Sequence, residues 1–130
     1  MNDSQTSEIR LSIPSQPEYV GVVRLAAAGI AHRLEFNVEE ADDLKLAVTE
    51  ACARLLERAG PESPICVDWS IGVESLVVTV HCETASEKAS EAEWSEIGLF
   101  LIHALMDEVS ELESAVGLRM VKFFHRNDNG

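Results

Sequence analysis

The stretch Asn37-Val38-Glu39-Glu40-Ala41-Asp42-Asp43-Leu44-Lys45-Leu46-Ala47-Val48-Thr49-Glu50-Ala51-Cys52 decides how the chain is read. Asn37 stands three residues before Glu40, so its side chain can accept a backbone N–H while Glu40 reaches back, the reciprocal arrangement that opens a helix. Ala41, Leu44, Val48, Ala51 and Leu55 then recur at three- and four-residue steps, and the stripe runs to about Ala59, where Gly60-Pro61 supplies the stop. Such a one-sided helix must lie on another layer, and the flanking segments supply it.

Upstream, Ile9, Leu11 and Ile13 alternate with Arg10 and Ser12, which predicts a half-buried strand over residues 8–13 ended by Pro14. From Pro17, Val20, Val23, Ala27 and Ile30 recur at helical spacing through about Leu34. Downstream, Ile65, Val67, Trp69 and Ile71 alternate with Cys66, Asp68 and Ser70, and Gly72-Val73-Glu74-Ser75 turns them into Leu76-Val77-Val78-Thr79-Val80, a β-hairpin. Residues 83–96 carry Glu83, Glu87, Glu91, Glu93 and Glu96 against one Lys88, and read as a polar connection or a weakly anchored helix. Gly98 to Met106 is apolar on nearly all sides and predicts a helix buried between layers. Asp107–Glu113 and Leu118–His125 alternate across a turn placed at Gly117, a second hairpin. The order β-α-α-β-β-α-β-β predicts an α+β two-layer sandwich, a mainly antiparallel sheet covered on one face by three helices. The expected organisation is a tail over 1–7, one domain over 8–126, and a tail over 127–130.

Composition limits what such a domain can do. Ten Lys and Arg against 23 Asp and Glu give a net charge of −13, which repels a phosphate backbone and argues against direct nucleic-acid binding. A mean hydropathy of +0.02, with no apolar run near the roughly 18 residues of a membrane span, argues for a soluble chain. The polar start Met1-Asn2-Asp3-Ser4 lacks the features of a signal peptide, so a cytoplasmic location is expected. Cys52, Cys66 and Cys82 show no C-x-x-C pair and read as reduced thiols, and His32, His81, His103 and His125 are scattered over different elements, which argues for structural roles over a shared metal site.

Four stretches carry a resemblance: Ile13-Pro14-Ser15-Gln16-Pro17-Glu18-Tyr19-Val20 leading into Arg24-Leu25-Ala26; Ala41 to Cys52; Ile97-Gly98-Leu99-Phe100-Leu101-Ile102; and Leu105-Met106-Asp107-Glu108-Val109. In this order and register the chain resembles the anti-sigma factor serine kinases of the RsbW type, members of the GHKL (Bergerat-fold) ATPase superfamily. The resemblance implies a regulator of a bacterial partner-switching system that sequesters a sigma factor or phosphorylates a small STAS-type antagonist on serine, with ATP and Mg²⁺ as cofactors.

The family's nucleotide pocket is only partly present. Glu50 matches the family's base, but the metal-binding Asn four residues later is Arg54, whose guanidinium has no lone pair to give. By the same resemblance the adenine-binding Asp position is Cys82, the glycines that follow are Thr84 and Ser86, and the first glycine of the phosphate-binding lid is Glu96, leaving Gly98. The family's Gly-Thr pair of the last hairpin appears as Gly117-Leu118. Glu50 and Arg54 stand at i,i+4 with the acid first, the favourable order for a helical ion pair, which is expected to seal the remnant pocket. No cofactor is therefore expected, Glu50 is a vestigial base, and the chain reads as a binding protein that forms a homodimer. The alternatives are an active kinase using Glu50 and Gly98, or a binding activator of a phosphatase. Arg10, Glu18 and Arg24, by analogy, and Trp94, as an aromatic among glutamates, are the candidates for contact with partners.

Overall fold

The reciprocal cap forms as the sequence predicts: Asn37 Oδ1 accepts from the Glu40 N–H at 2.7 Å, and Glu40 Oε1 accepts from the Asn37 N–H at 2.9 Å. The computed structural model describes residues 6–83 and 96–124. Its elements in chain order are β1 (Ser7–Ile13), a single 3-10 turn (Pro17–Tyr19), α1 (Val20–Arg33), α2 (Val38–Leu56), β2 (Ile65–Ile71), β3 (Ser75–Cys82), α3 (Glu96–Leu105), β4 (Glu108–Glu111) and β5 (Val116–Phe123). The sheet has the order β1-β2-β3-β5-β4 with every pair antiparallel. This is the predicted α+β architecture, consistent with a GHKL-type fold.

The stripe on α2 explains why the layers meet. Leu44, Val48, Ala51 and Leu55 are each completely buried, and α1 and α3 pack on α2 from either side. Ile9, Trp69, Val78, Met120 and Val109 lie in register across the five strands and face the helices. One residue on, Arg10, Asp68, Thr79, Arg119 and Ser110 form the row on the opposite face, because successive strand residues point to opposite sides. Replacing Asn37 with Ala removes one side of the cap and is expected to cost about 1 kcal/mol, read as a lowered denaturation midpoint at unchanged slope. No helix among the described residues is long and apolar enough to cross a membrane.

Two expectations are corrected. Gly117 is no turn: it lies inside β5 opposite His81, and the chain reverses over residues 112–115. Alternation cannot distinguish a turn glycine from one packed in a strand. Nor is α3 buried between layers: of its residues only Gly98 and Ile102 are buried, while Ile97 and Phe100 are 80% and 74% exposed. A helix resting on one side of α2 buries one stripe only, however apolar the rest of its surface.

Candidate functional site

Glu50 lies on the fourth turn of α2 and Arg54 on the next, which brings both side chains to one face of the helix. The Arg54 Nε stands 3.0 Å from Glu50 Oε2, an ion contact without hydrogen-bond alignment, and Arg54 Nη1 stands 3.4 Å from Glu57 Oε1. The paired side chains are only 32% and 21% exposed. α3 closes over them at Gly98, where an added Cβ would lie 3.1 Å from Arg54 Cδ and 3.2 Å from Glu50 Oε2. A side chain at position 98 would therefore require Arg54 and Glu50 to shift by a few tenths of an ångström. A partly exposed pair at i,i+4 contributes roughly 1 kcal/mol or less to stability. The guanidinium of Arg54 is pinned to the carboxylate of Glu50 at the α2–α3 junction.

These residues do not fit a Mg·nucleotide. Arg54 donates only, Glu50 already faces a cation, and their two charges cancel where a divalent ion would need carboxylate or amide oxygens. Among the described residues no group of three His, Cys, Asp or Glu is placed to hold a metal.

Cys82 ends β3, buried among core residues. Burial pushes its thiol pKa up; a hydrogen bond with Ser63 and the charge of Arg58 pull it down, and Cys66 adds to the rise. Cys66 opposes His81, one residue before Cys82, so the two thiols point to opposite faces of the sheet and cannot form a disulfide. The thiol of Cys52, on α2, is pushed up to about 12 by burial. Both are protonated, poorly nucleophilic thiols, which fits structural roles.

The structure therefore brings Glu50, Arg54, Gly98 and the first-turn residue Glu96 to the α2–α3 junction, and places Cys82 at the end of a neighbouring strand. Thr84, Ser86 and Trp94 lie outside the described residues. Arg10, Glu18 and Arg24 are all exposed and lie on three elements: Arg10 on the open face of the sheet, 3.9 Å from Asp68, Glu18 in the 3-10 turn, and Arg24 on α1. Sequence reasoning missed Glu57, Arg58 and Ser63. The first two were legible, since Glu50, Arg54, Glu57 and Arg58 follow the three- and four-residue spacing of one helix face. Ser63 carried no signal, because loop conformation brings it to Cys82. Also missed was the pair on the open sheet face, where His81 Nε2 stands 3.0 Å from Asp68 Oδ2.

Comparison with known proteins identifies the family. The sequence model of the histidine kinase-like ATPase domain matches residues 13–122. The serine-protein kinase RsbW of Bacillus subtilis is 31% identical over 137 aligned residues, covering 90% of this chain and 86% of that protein. That of Halalkalibacterium halodurans is 32% identical over 146, covering 98% and 90%. That of Bacillus pumilus is 31% identical over 140, covering 91% and 86%. A family match over most of the domain and several relatives above 30% identity along nearly the whole length leave one assignment: the chain belongs to the histidine kinase-like ATPase domain family, in its RsbW-type group.

Proposed function

We propose that this chain is an anti-sigma-factor-like regulator of a bacterial partner-switching pathway that acts in the cytoplasm by protein binding, with nucleotide binding lost. Its partners are a sigma factor, a STAS-type anti-anti-sigma protein, or both, and it works as a homodimer. The observation that supports the reading is the Glu50–Arg54 contact beneath Gly98, an ion pair where the resemblance would expect a metal-binding Asn beside the base. Surface residues Arg10, Glu18 and Arg24, together with Trp94, remain the contact candidates.

The test is calorimetric titration of the purified chain with Mg·ATP and Mg·ADP, beside thermal melting. A ligand at a hundred times its Kd would stabilise the fold by about 2.7 kcal/mol, a shift easily seen. The expected result is no heat and no shift at millimolar nucleotide, and the same for Arg54→Asn, because that change restores one ligand but no carboxylate at Cys82. Micromolar binding by the unmodified chain would overturn the reading. It would restore Glu50 as a base and the alternative of an active serine kinase, to be followed by phosphorylation of a STAS-type substrate.

A further inference from the structure

The three cysteines are free, and they are not alike. Cys52 and Cys82 are completely buried in the core, whereas Cys66 on β2 is partly exposed on the open face of the sheet, away from the helices. Directly opposite it stand His81 on β3 and the small, exposed Ser12 on β1. Side chains opposed in an antiparallel pair share a face, with Cβ atoms about 4.5–5.5 Å apart. Asp68 follows Cys66 by two residues and so shares that face, and its Oδ2 lies 3.0 Å from His81 Nε2. Arg10, opposite Asp68 on β1, stands 3.9 Å from its other oxygen. A thiol, an imidazole and a carboxylate thus meet on two neighbouring strands, on the side of the sheet remote from Glu50.

We infer that Cys66 is a site of reversible covalent modification by low-molecular-weight disulfides, with His81 as the proton acceptor and Asp68 as the residue that positions the ring. The carboxylate decides the tautomer. Its oxygens only accept, so the contact with Nε2 puts the ring proton there and leaves the lone pair on Nδ1. Nδ1 makes no hydrogen bond among the described residues, which leaves it available to the thiol. Nucleophile, base and orienting acid stand in the order that activates a thiol, and in the resting chain Cys66 and His81 are opposed without being bonded, as such groups often are before a substrate arrives. In the reaction Nδ1 takes the S–H proton and the Cys66 sulfur attacks one sulfur of the disulfide. The new S–S bond forms as the old one breaks, and the departing thiolate receives the proton back from His81. Cys66 is oxidised, the released thiol is the reduced product, and no other reagent is consumed. Cys52 and Cys82 do not compete, because a disulfide cannot reach them in the folded chain.

The test treats the full chain with dithiodipyridine, an uncharged disulfide whose released thiopyridone is read by absorbance, and locates the adduct by mass spectrometry of a digest. The expected result is one rapid equivalent from the folded chain, carried by Cys66 and removed by dithiothreitol, with the other two thiols reacting only in urea. At neutral pH, His81→Gln should slow that equivalent about tenfold and Asp68→Asn about threefold, the scale of lost general-base help. Above about pH 9, where a thiol ionises unaided, both variants should converge on the unmodified chain, which a merely structural role would not produce. The sign for Asp68→Asn is decisive, because loss of a nearby negative charge by itself favours the thiolate and would speed the reaction. Melting curves check that both variants fold. No rapid equivalent from the folded chain, an adduct on Cys52 or Cys82 ahead of Cys66, or an adduct that dithiothreitol leaves in place would overturn the inference. So would variants that react at least as fast as the unmodified chain at neutral pH, or a slowing that persists undiminished at high pH. None of these outcomes alters the nucleotide titration, so the two readings can fail separately.

Discussion

Trp69→Ala is expected to lower the unfolding free energy by roughly 3–5 kcal/mol, among the largest effects of any single change in this chain. Trp69 is the largest fully buried side chain, 1% exposed, with Ile9 beside it on β1 and Val78 on β3, both facing the helix layer. Truncation removes the transfer energy of an indole and leaves a cavity that the sheet backbone cannot collapse. Against a total stability of about 5–15 kcal/mol, the loss takes a third or more. Trp69→Phe separates the two contributions. The indole Nε1 is buried without a hydrogen-bond partner, so exchange for a phenyl ring removes an unpaired donor while keeping most of the volume. That variant should lose about 1 kcal/mol or less, because relief of the unpaired N–H offsets part of the smaller void. Urea unfolding with intact slopes measures both, and equal losses for Phe and Ala would show that the N–H is satisfied.

Gly117→Val is expected to cost roughly 3 kcal/mol, at the upper end of overpacking penalties. Gly117 opposes His81 in the β3–β5 ladder, and an added Cβ would collide with the Val80 carbonyl oxygen and lie 2.8 Å from His81 Cα. Those atoms belong to the backbone of a neighbouring strand and can move only by breaking the ladder. The required property is space, since no glycine of the described chain has a positive φ. Gly29 provides the opposite case, with nothing within 4 Å of an added Cβ on an exposed turn of α1. Gly29→Ala should stabilise the domain by roughly 0.5–1 kcal/mol through helix propensity and reduced freedom of the unfolded chain. If Gly117→Val melts with the unmodified chain, the close approach of β3 and β5 is wrong.

The two glycines singled out by family resemblance illustrate what a motif conceals. Gly98 and Gly117 both have close neighbours that an added Cβ would meet: for one the Glu50–Arg54 pair, for the other a neighbouring strand. Such reasons hold with or without a nucleotide, so a glycine at a motif position is by itself weak evidence for a ligand.

Periodicity determined most of the architecture. The stripe on α2, its Asn37–Glu40 cap, the alternation of β1 to β3 and the antiparallel order were all legible, because each is a repeat along the chain that reports which face is apolar. The i,i+4 pairing of Glu50 with Arg54 was legible for the same reason. Tertiary structure alone decided the rest: that α3 seats Gly98 on that pair and leaves Ile97 and Phe100 exposed, that Gly117 belongs inside a strand, that Ser63 and Arg58 reach Cys82, and that His81 meets Asp68 on the open sheet face. These facts depend on how far one element stands from another and on which of its sides it turns inward. Hydrophobic burial is non-directional and fixes only that an apolar face is covered, whereas the partner that covers it is chosen by packing between residues distant in sequence.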